Sequence, residues 1–227
     1  AFGYGYPFFN IYGPFSYFVA AFLHRVGGLS FPGAIEGTFV ISIVASAGAI
    51  YGCVRDWLGR NRGRQAALIS ALVYTYAPYH LLNLYVRATL AESMVWVWLP
   101  LCLWTFRRLV QGQHGWRPAW KWVAGGALCY GGLMLTSNLV IVLFTPLLAL
   151  AVWTWMAVRA GAGRPSVAVA LGRFARLALS PALGVGGGLG LSALFWLPML
   201  LEYRYVRVDQ WFSGRYDFHD DFLYLFQ

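Results

Sequence analysis

The densest group of chemistry-bearing side chains lies in the stretch Ala77-Pro78-Tyr79-His80-Leu81-Leu82-Asn83-Leu84-Tyr85-Val86-Arg87-Ala88-Thr89-Leu90-Ala91-Glu92. It sets His80, Asn83, Arg87 and Glu92 between two apolar runs, and these four are the first candidate substrate-binding residues. An ionisable group beside hydrocarbon is costly, and it normally lines a cavity or pairs with an opposite charge. Two readings stand. In one, Arg87 holds an anionic headgroup in a cavity, with His80 or Glu92 near the reacting centre. In the other, Arg87 and Glu92 pair with each other or sit in interfacial water.

A second group lies near the end of the sequence. Arg204 and Arg207 follow a long apolar run at what is expected to be the outer membrane surface, where they could meet the phosphate of a lipid carrier. Further on, His219 stands among Asp217, Asp220 and Asp221, a set that could bind a divalent cation or form a solvated loop. Its spacing matches no recognised ligand loop. The sequence has no Walker A, G-x-S-x-G or H-E-x-x-H pattern. Nor does it have the mid-span series of Asp, Glu or Lys that ion carriers use. Cys53, Cys102 and Cys129 all lie in apolar runs without CxxC or Cys/His spacing, so they read as small buried residues rather than disulfide partners or zinc ligands.

The elements that must position these residues are apolar helices. Residues 1–14 are rich in Gly, Pro and aromatic rings and cannot hold a long helix. Phe15 to Val26 reads as a short interfacial helix. Pro32 opens a first span over Ala34–Val54. The second rises from Gln65 to Ala77, about 13 residues before Pro78; at about 1.5 Å each these fall short of a core of about 30 Å. That helix either continues with a kink or breaks at Pro78, and a break in a bilayer needs protein or water around it. Further spans are expected over Leu90–Phe106, Trp122–Leu135, Leu139–Val158 and Leu177–Leu200. The fourth and fifth join through the tight turn Thr136-Ser137-Asn138, with Asn138 as the expected helix cap. Glu36 is expected to complement the dipole at the start of the first span. In the last span, the glycine-rich run Gly184–Gly190 suits close backbone approach.

Composition points the same way. The chain is 59% hydrophobic, 18% aromatic and only 11% charged, against about 25% charged in a soluble domain. Mean hydropathy is +0.59. So little polar surface cannot cover a globule in water, so lipid must supply part of the solvent. The net charge of +9 is no nucleic-acid footprint. Of the 17 Lys and Arg, 12 fall in the stretches Arg55–Arg64, Arg107–Lys121 and Arg159–Arg176, each between apolar runs. Six crossings put all three stretches on one side, which the positive-inside rule assigns to the cytoplasm of a plasma (inner) membrane. Seven of the eight acidic residues fall at the opposite end, with Asp56 as the exception. The expected architecture is all-α, a single polytopic transmembrane bundle of about six spans plus an interfacial helix. Residues 1–33 form an exterior loop and helix, 34–200 the bundle and 201–227 a further exterior loop. The start at Ala1 suggests an internal portion of a longer polypeptide.

The opening run AFGYGYPFFNIYGPFSY resembles the first exterior loop of bacterial polytopic proteins described as "6-pyruvoyl-tetrahydropterin synthase-related domain, membrane protein". So do Tyr76 to Arg87 closing on Ala91-Glu92, and Phe195-Trp196-Leu197-Pro198. The resemblance covers nearly the whole chain in order. That family is similar in turn to C-type glycosyltransferases, which take sugar from a polyprenyl-phosphate carrier on the exterior face. The resemblance therefore implies inverting transfer. An exterior carboxylate orients or deprotonates the acceptor, and basic residues hold the departing lipid phosphate. The signature carboxylate of that superfamily lies early in the first exterior loop, so it is expected upstream of Ala1. Relatives often carry His before Asn where Ser137-Asn138 stands here. Membrane lipids, a polyprenyl-phosphate sugar and other membrane subunits are the expected partners. The competing expectation is a non-catalytic subunit of a larger membrane assembly. A transporter would call for related halves, and none is evident.

Overall fold

The computed structural model describes residues 12–59 and 63–202. Among these the chain is helical throughout, with no strand. Helix α1 is Phe15–Arg25, α2 Phe31–Leu58, α3 Gly63–Thr75 and α4 the single turn Pro78–Leu81. A π-helical turn, Leu82–Val86, follows, and then α5 Leu90–Gly112, α6 Trp120–Thr136, α7 Asn138–Gly161, α8 Val167–Leu191 and α9 Ala193–Glu202. Three of these, α2, α7 and α8, are long and apolar enough to cross a membrane. Helix α3, at 13 residues, falls short alone.

The exposed surface of these helices is apolar. On α3, Leu68, Ile69, Leu72 and Val73 are exposed, and on α7 so are Leu139, Val142, Leu143, Leu147 and Leu150. Helix α2 is patterned inside out. Its buried face is Ala34, Thr38, Ser42, Ser46, Ala49 and Cys53, at helical spacing, while Val40 and Val44 face outward. The hydroxyls on that seam are satisfied within the helix: Thr38 donates to the Ala34 carbonyl, Ser42 to Phe39 and Ser46 to Ile43. Small residues let α3 and α5 approach this face closely, which is how helices associate where burying apolar surface gives no advantage.

Helices α6 and α8 make the most extensive contact in the bundle. They cross at Gly131 and Gly188, where a Cβ on Gly131 would stand 3.0 Å from the Gly188 carbonyl oxygen. The glycine run thus serves close packing at Gly184, Gly187 and Gly188, while Gly186 and Gly190 face open space. The apolar core between α5, α6, α7 and α8 contains Phe106, Leu109, Tyr130, Leu133 and Leu148. Cys53, Cys102 and Cys129 are buried and unpaired, as their apolar settings imply.

Several boundaries differ from the sequence expectation. The expected last span, Leu177–Leu200, is instead α8 from Val167 to Leu191, then a break at Ser192 and the separate α9. Arg173 and Arg176 accordingly lie on a helix, not in a loop. Arg107 and Arg108 continue α5, and Arg159 sits in the last turn of α7. Arginine is a good helix former, and a cation in a last turn complements the helix dipole. Glu36 is the sixth residue of α2, beyond the first turn, because Ser30 caps that helix by accepting from the Gly33 amide. Asn138 is likewise not the cap of α7. Ser137 takes that place, accepting from the Val140 amide, and Asn138 is the first helical residue.

The described arginines of the three arginine-rich stretches gather at one end of the bundle. Asp56 at the end of α2 binds Arg107 and Arg108 of α5. Arg159 of α7 donates to the Val110 and Gln113 carbonyls at the end of α5. Arg176 of α8 lies over the Trp116 ring, 5.9 Å from its centroid.

Candidate functional site

At the opposite end, the chain leaves helical geometry just before Pro78. Helix α3 stops at Thr75, and Ala77 is extended, the conformation that a following proline favours. Pro78 then opens α4 at a first-turn position, where its missing N–H costs no hydrogen bond. The alternative left open by the sequence is thereby decided: the helix breaks. The π-helical turn closes its hydrogen bonds over five residues rather than four, as the Arg87 amide to the Leu82 carbonyl shows, and such turns are frequent at functional sites. Ala88 then adopts φ 48°, a left-handed conformation that costs a non-glycine residue of order 1–3 kcal/mol. Thr89 ends the connection. Its amide donates to the Asn83 carbonyl at 3.1 Å, and its hydroxyl makes no cap for α5.

This connection brings His80, Asn83, Arg87 and Glu92 into one neighbourhood. Arg87 is its hub. Nη1 donates to Asn83 Oδ1 at 2.9 Å, to the Tyr79 hydroxyl at 3.0 Å and to Glu92 Oε2 at 2.6 Å. Nη2 donates to Glu92 Oε1 at 3.0 Å, which completes a bidentate fork. The ion pair of the second sequence reading therefore forms. It does not exhaust the guanidinium. The Nε N–H and one Nη2 N–H have no acceptor among the described residues, and the side chain is 41% exposed. Glu92 raises the Arg87 pKa further, so the cation persists at any working pH.

His80 is buried. Its ring stacks on Trp96 at 4.7 Å, and Nδ1 lies 3.2 Å from the Tyr74 carbonyl. A carbonyl only accepts, so Nδ1 carries the hydrogen and Nε2 is left as an acceptor. Tyr74 is itself fixed, its hydroxyl donating to the Trp96 carbonyl at 2.9 Å.

Buried polar atoms without partners concentrate here. They include His80 Nε2, Asn83 Nδ2, Thr89 Oγ1 and Ser93 Oγ. Buried polar groups are nearly always hydrogen-bonded, so such a group of exceptions calls for an explanation. The four atoms together supply an acceptor, an amide donor and two hydroxyls, which is the chemistry needed to hold a polyhydroxylated or phosphorylated ligand.

Sequence reasoning alone assigns no role to Tyr79, Tyr74, Trp96, Thr89 or Ser93. Trp96 follows Glu92 by four residues and so shares its helix face, a usable signal. Tyr79 lies eight residues before Arg87 and meets it across the π-helical turn, a contact that sequence spacing does not reveal. Arg204 and Arg207 lie outside the described residues, as does the His219 group proposed for a divalent cation. Within the described residues, no three His, Cys, Asp or Glu side chains are placed to hold a metal ion. No family model matches this chain, and no curated protein or solved structure is significantly similar to it.

Proposed function

We propose that this protein is a membrane glycosyltransferase-like protein that takes sugar from a lipid-linked donor on the exterior face. The observation that carries this reading is the broken helix at Pro78. It gathers an arginine with unused donors and four unpartnered buried polar atoms at the end of the bundle away from the arginine-rich stretches. The resemblance of the Tyr76–Glu92 run and of Phe195-Trp196-Leu197-Pro198 to C-type glycosyltransferase relatives supports it. On this reading α3 with its broken continuation, α5 and α6 join α2, α7 and α8 to make six crossings. The arginine-rich end faces the cytoplasm. Arg87 meets the phosphate of a polyprenyl carrier through its free N–H groups, and His80, Asn83, Thr89 and Ser93 orient the sugar. The catalytic base is not assigned to any described residue, because Glu92 is held by Arg87.

That commitment of Glu92 favours a second reading, a non-catalytic subunit of a larger membrane assembly. Transfer of labelled sugar from a polyprenyl-phosphate donor by the full-length protein in proteoliposomes separates the two. Transfer that is lost in Arg87→Ala while the fold is kept supports the first. No transfer, together with native isolation in a complex whose partners cover this end, supports the second.

A further inference from the structure

A cleft away from the Pro78–Glu92 connection takes no part in the site above. It is open, has a volume of about 560 Å³, and runs between α7 and α8 from Thr145 to Met156 and from Phe174 to Leu189, backed by Phe106 of α5 and Tyr130 of α6. Its wall is apolar, with Phe106, Tyr130, Leu148, Met156, Phe174 and Val185 among the lining residues. The Tyr130 hydroxyl is already engaged with Thr145 Oγ1 at 2.9 Å, so even the polar groups in the wall have no demand for water. Both helices are long and apolar enough to cross a membrane, so the cleft lies at hydrocarbon depth.

A second, smaller pocket of about 170 Å³ lies toward the arginine-rich end of the same helix pair and is lined by Gln113, Gly115, Arg159, Arg173, Arg176 and Leu177. The two follow one another along the same helices: Arg159 is three residues beyond Met156 on α7, and Arg173 and Arg176 flank Phe174 on α8, so the arginine positions lie within about one turn of the last apolar lining. This polar end is built. Gln113 is buried, its amide donates to the Gly115 carbonyl at 2.8 Å, and Ser180 donates to its oxygen. Arg159 is fixed on the last carbonyls of α5. Arg173 spends one N–H on the Ala162 carbonyl at 3.1 Å, and Arg176 rests near Trp116. None of the three forms an ion pair with a carboxylate among the described residues. Three arginines without a carboxylate partner, next to an apolar cleft, complement a molecule with an anionic head and a hydrocarbon tail.

We propose that this composite pocket is a binding site for an anionic phospholipid of the surrounding leaflet. The phosphate sits on Arg173 and Arg176 beside the fixed Arg159, and one acyl chain lies in the α7–α8 cleft. The site is independent of any sugar transfer at the other end of the bundle. The lipid acts as a strut, filling the gap between α7 and α8 and neutralising the arginine-rich end.

The test uses the full-length protein, delipidated and placed in nanodiscs of phosphatidylcholine alone or with added phosphatidylglycerol, with lipid occupancy read by native mass spectrometry and thermal unfolding. Wild type should retain phosphatidylglycerol and unfold at higher temperature in its presence. The double variant Arg173→Gln/Arg176→Gln should lose about tenfold in apparent affinity, as two charge-assisted contacts require. Ala178→Trp, which fills the cleft without changing charge, should weaken retention by a similar factor. Retention unaffected by either change overturns the proposal. So does a loss confined to the arginine variant, which would mark a diffuse surface attraction. Equal protection by inorganic phosphate overturns the role of the acyl chain, and a second protein copy seated in the cleft overturns the lipid as occupant.

Discussion

The Arg87 guanidinium closes on both oxygens of Glu92 across five residues, Nη1 to Oε2 at 2.6 Å and Nη2 to Oε1 at 3.0 Å. The pair ties the end of the π-helical turn to the first turn of α5, and Asn83 and Tyr79 are drawn in through the same Nη1. Removing the fork should free the connection and leave the bundle intact, because the pair is solvent-accessible and no core packing depends on it. Arg87→Ala should therefore raise amide hydrogen exchange over residues 82–89 by roughly tenfold, with little change in global unfolding. Arg87→Lys keeps the charge but not the planar fork, and should fall between. Unchanged local exchange in Arg87→Ala would show that the backbone bonds alone, such as the Thr89 amide to the Asn83 carbonyl, hold this segment.

His80 is held by two contacts of different kinds: its ring stacks on Trp96 at 4.7 Å and its Nδ1 donates to the Tyr74 carbonyl at 3.2 Å. His80→Phe keeps the stack and removes the hydrogen bond. It should destabilise by only about 0.5–1.5 kcal/mol, because the Ala77 amide still donates to the Tyr74 carbonyl at 3.4 Å. His80→Ala loses both contacts and should cost more. Unfolding midpoints in one detergent compare the two. Equal losses would mean that the hydrogen bond, not the stack, holds this turn.

The break at Pro78 was legible because two independent signals agree there: a proline, and an apolar run too short to span. The short helix α1 and the use of the glycine run were legible for similar reasons. The helix ends at the arginine-rich side were not. Arg107, Arg108, Arg159, Arg173 and Arg176 interrupt hydrophobicity without interrupting helical propensity, so charge marks the edge of the apolar zone rather than the end of the helix. Ser137 and Asn138 are both competent caps, and the extended backbone at Ser137 decided between them. The seam from Ala34 to Cys53 is hard to read from sequence because it inverts the usual pattern, with small and polar residues inward. The polar cluster behind Arg87 was half legible. Its ionisable members stand out against apolar neighbours, whereas Thr89 and Ser93 gain significance only when they are found buried and unpartnered.

The crossing of α6 and α8 predicts a sharp contrast among glycines of one run. A Cβ on Gly188 would stand 3.0 Å from both the Gly131 amide nitrogen and the Tyr130 side chain, so the backbone itself would have to move. Gly188→Ala should destabilise by about 1–3 kcal/mol, the usual penalty for overpacking. Gly190 faces open space on the same helix, so Gly190→Ala should be neutral or stabilising by up to about 1 kcal/mol through helix propensity. Denaturant unfolding in mixed micelles compares the two. Equal effects would show that the helices adjust freely at the crossing.

Asp56 is the counterpart of Glu92 at the other end, and its partners differ in one respect that sets the energetics. Its side chain is only 12% exposed, while Arg108 is 37% exposed and Arg107 21%. Two cations share one anion, and each also lies over an indole ring: Arg107 at 5.3 Å from Trp57, Arg108 at 5.5 Å from Trp122. Asp56→Asn preserves shape and an acceptor oxygen but leaves two guanidinium groups facing each other. A fully buried pair broken on one side loses about 3–5 kcal/mol. Solvent reaching Arg108 screens part of that, so about 1–3 kcal/mol is expected here. Arg107→Ala should cost less, because Arg108 still holds Asp56 through Nε at 2.8 Å and through Nη2. Added salt should narrow the gap between Asp56→Asn and wild type by screening the exposed guanidinium. A thermal-unfolding series in which Asp56→Asn matches wild type at low salt would mean that the indole faces, not the carboxylate, hold these arginines at the end of α5.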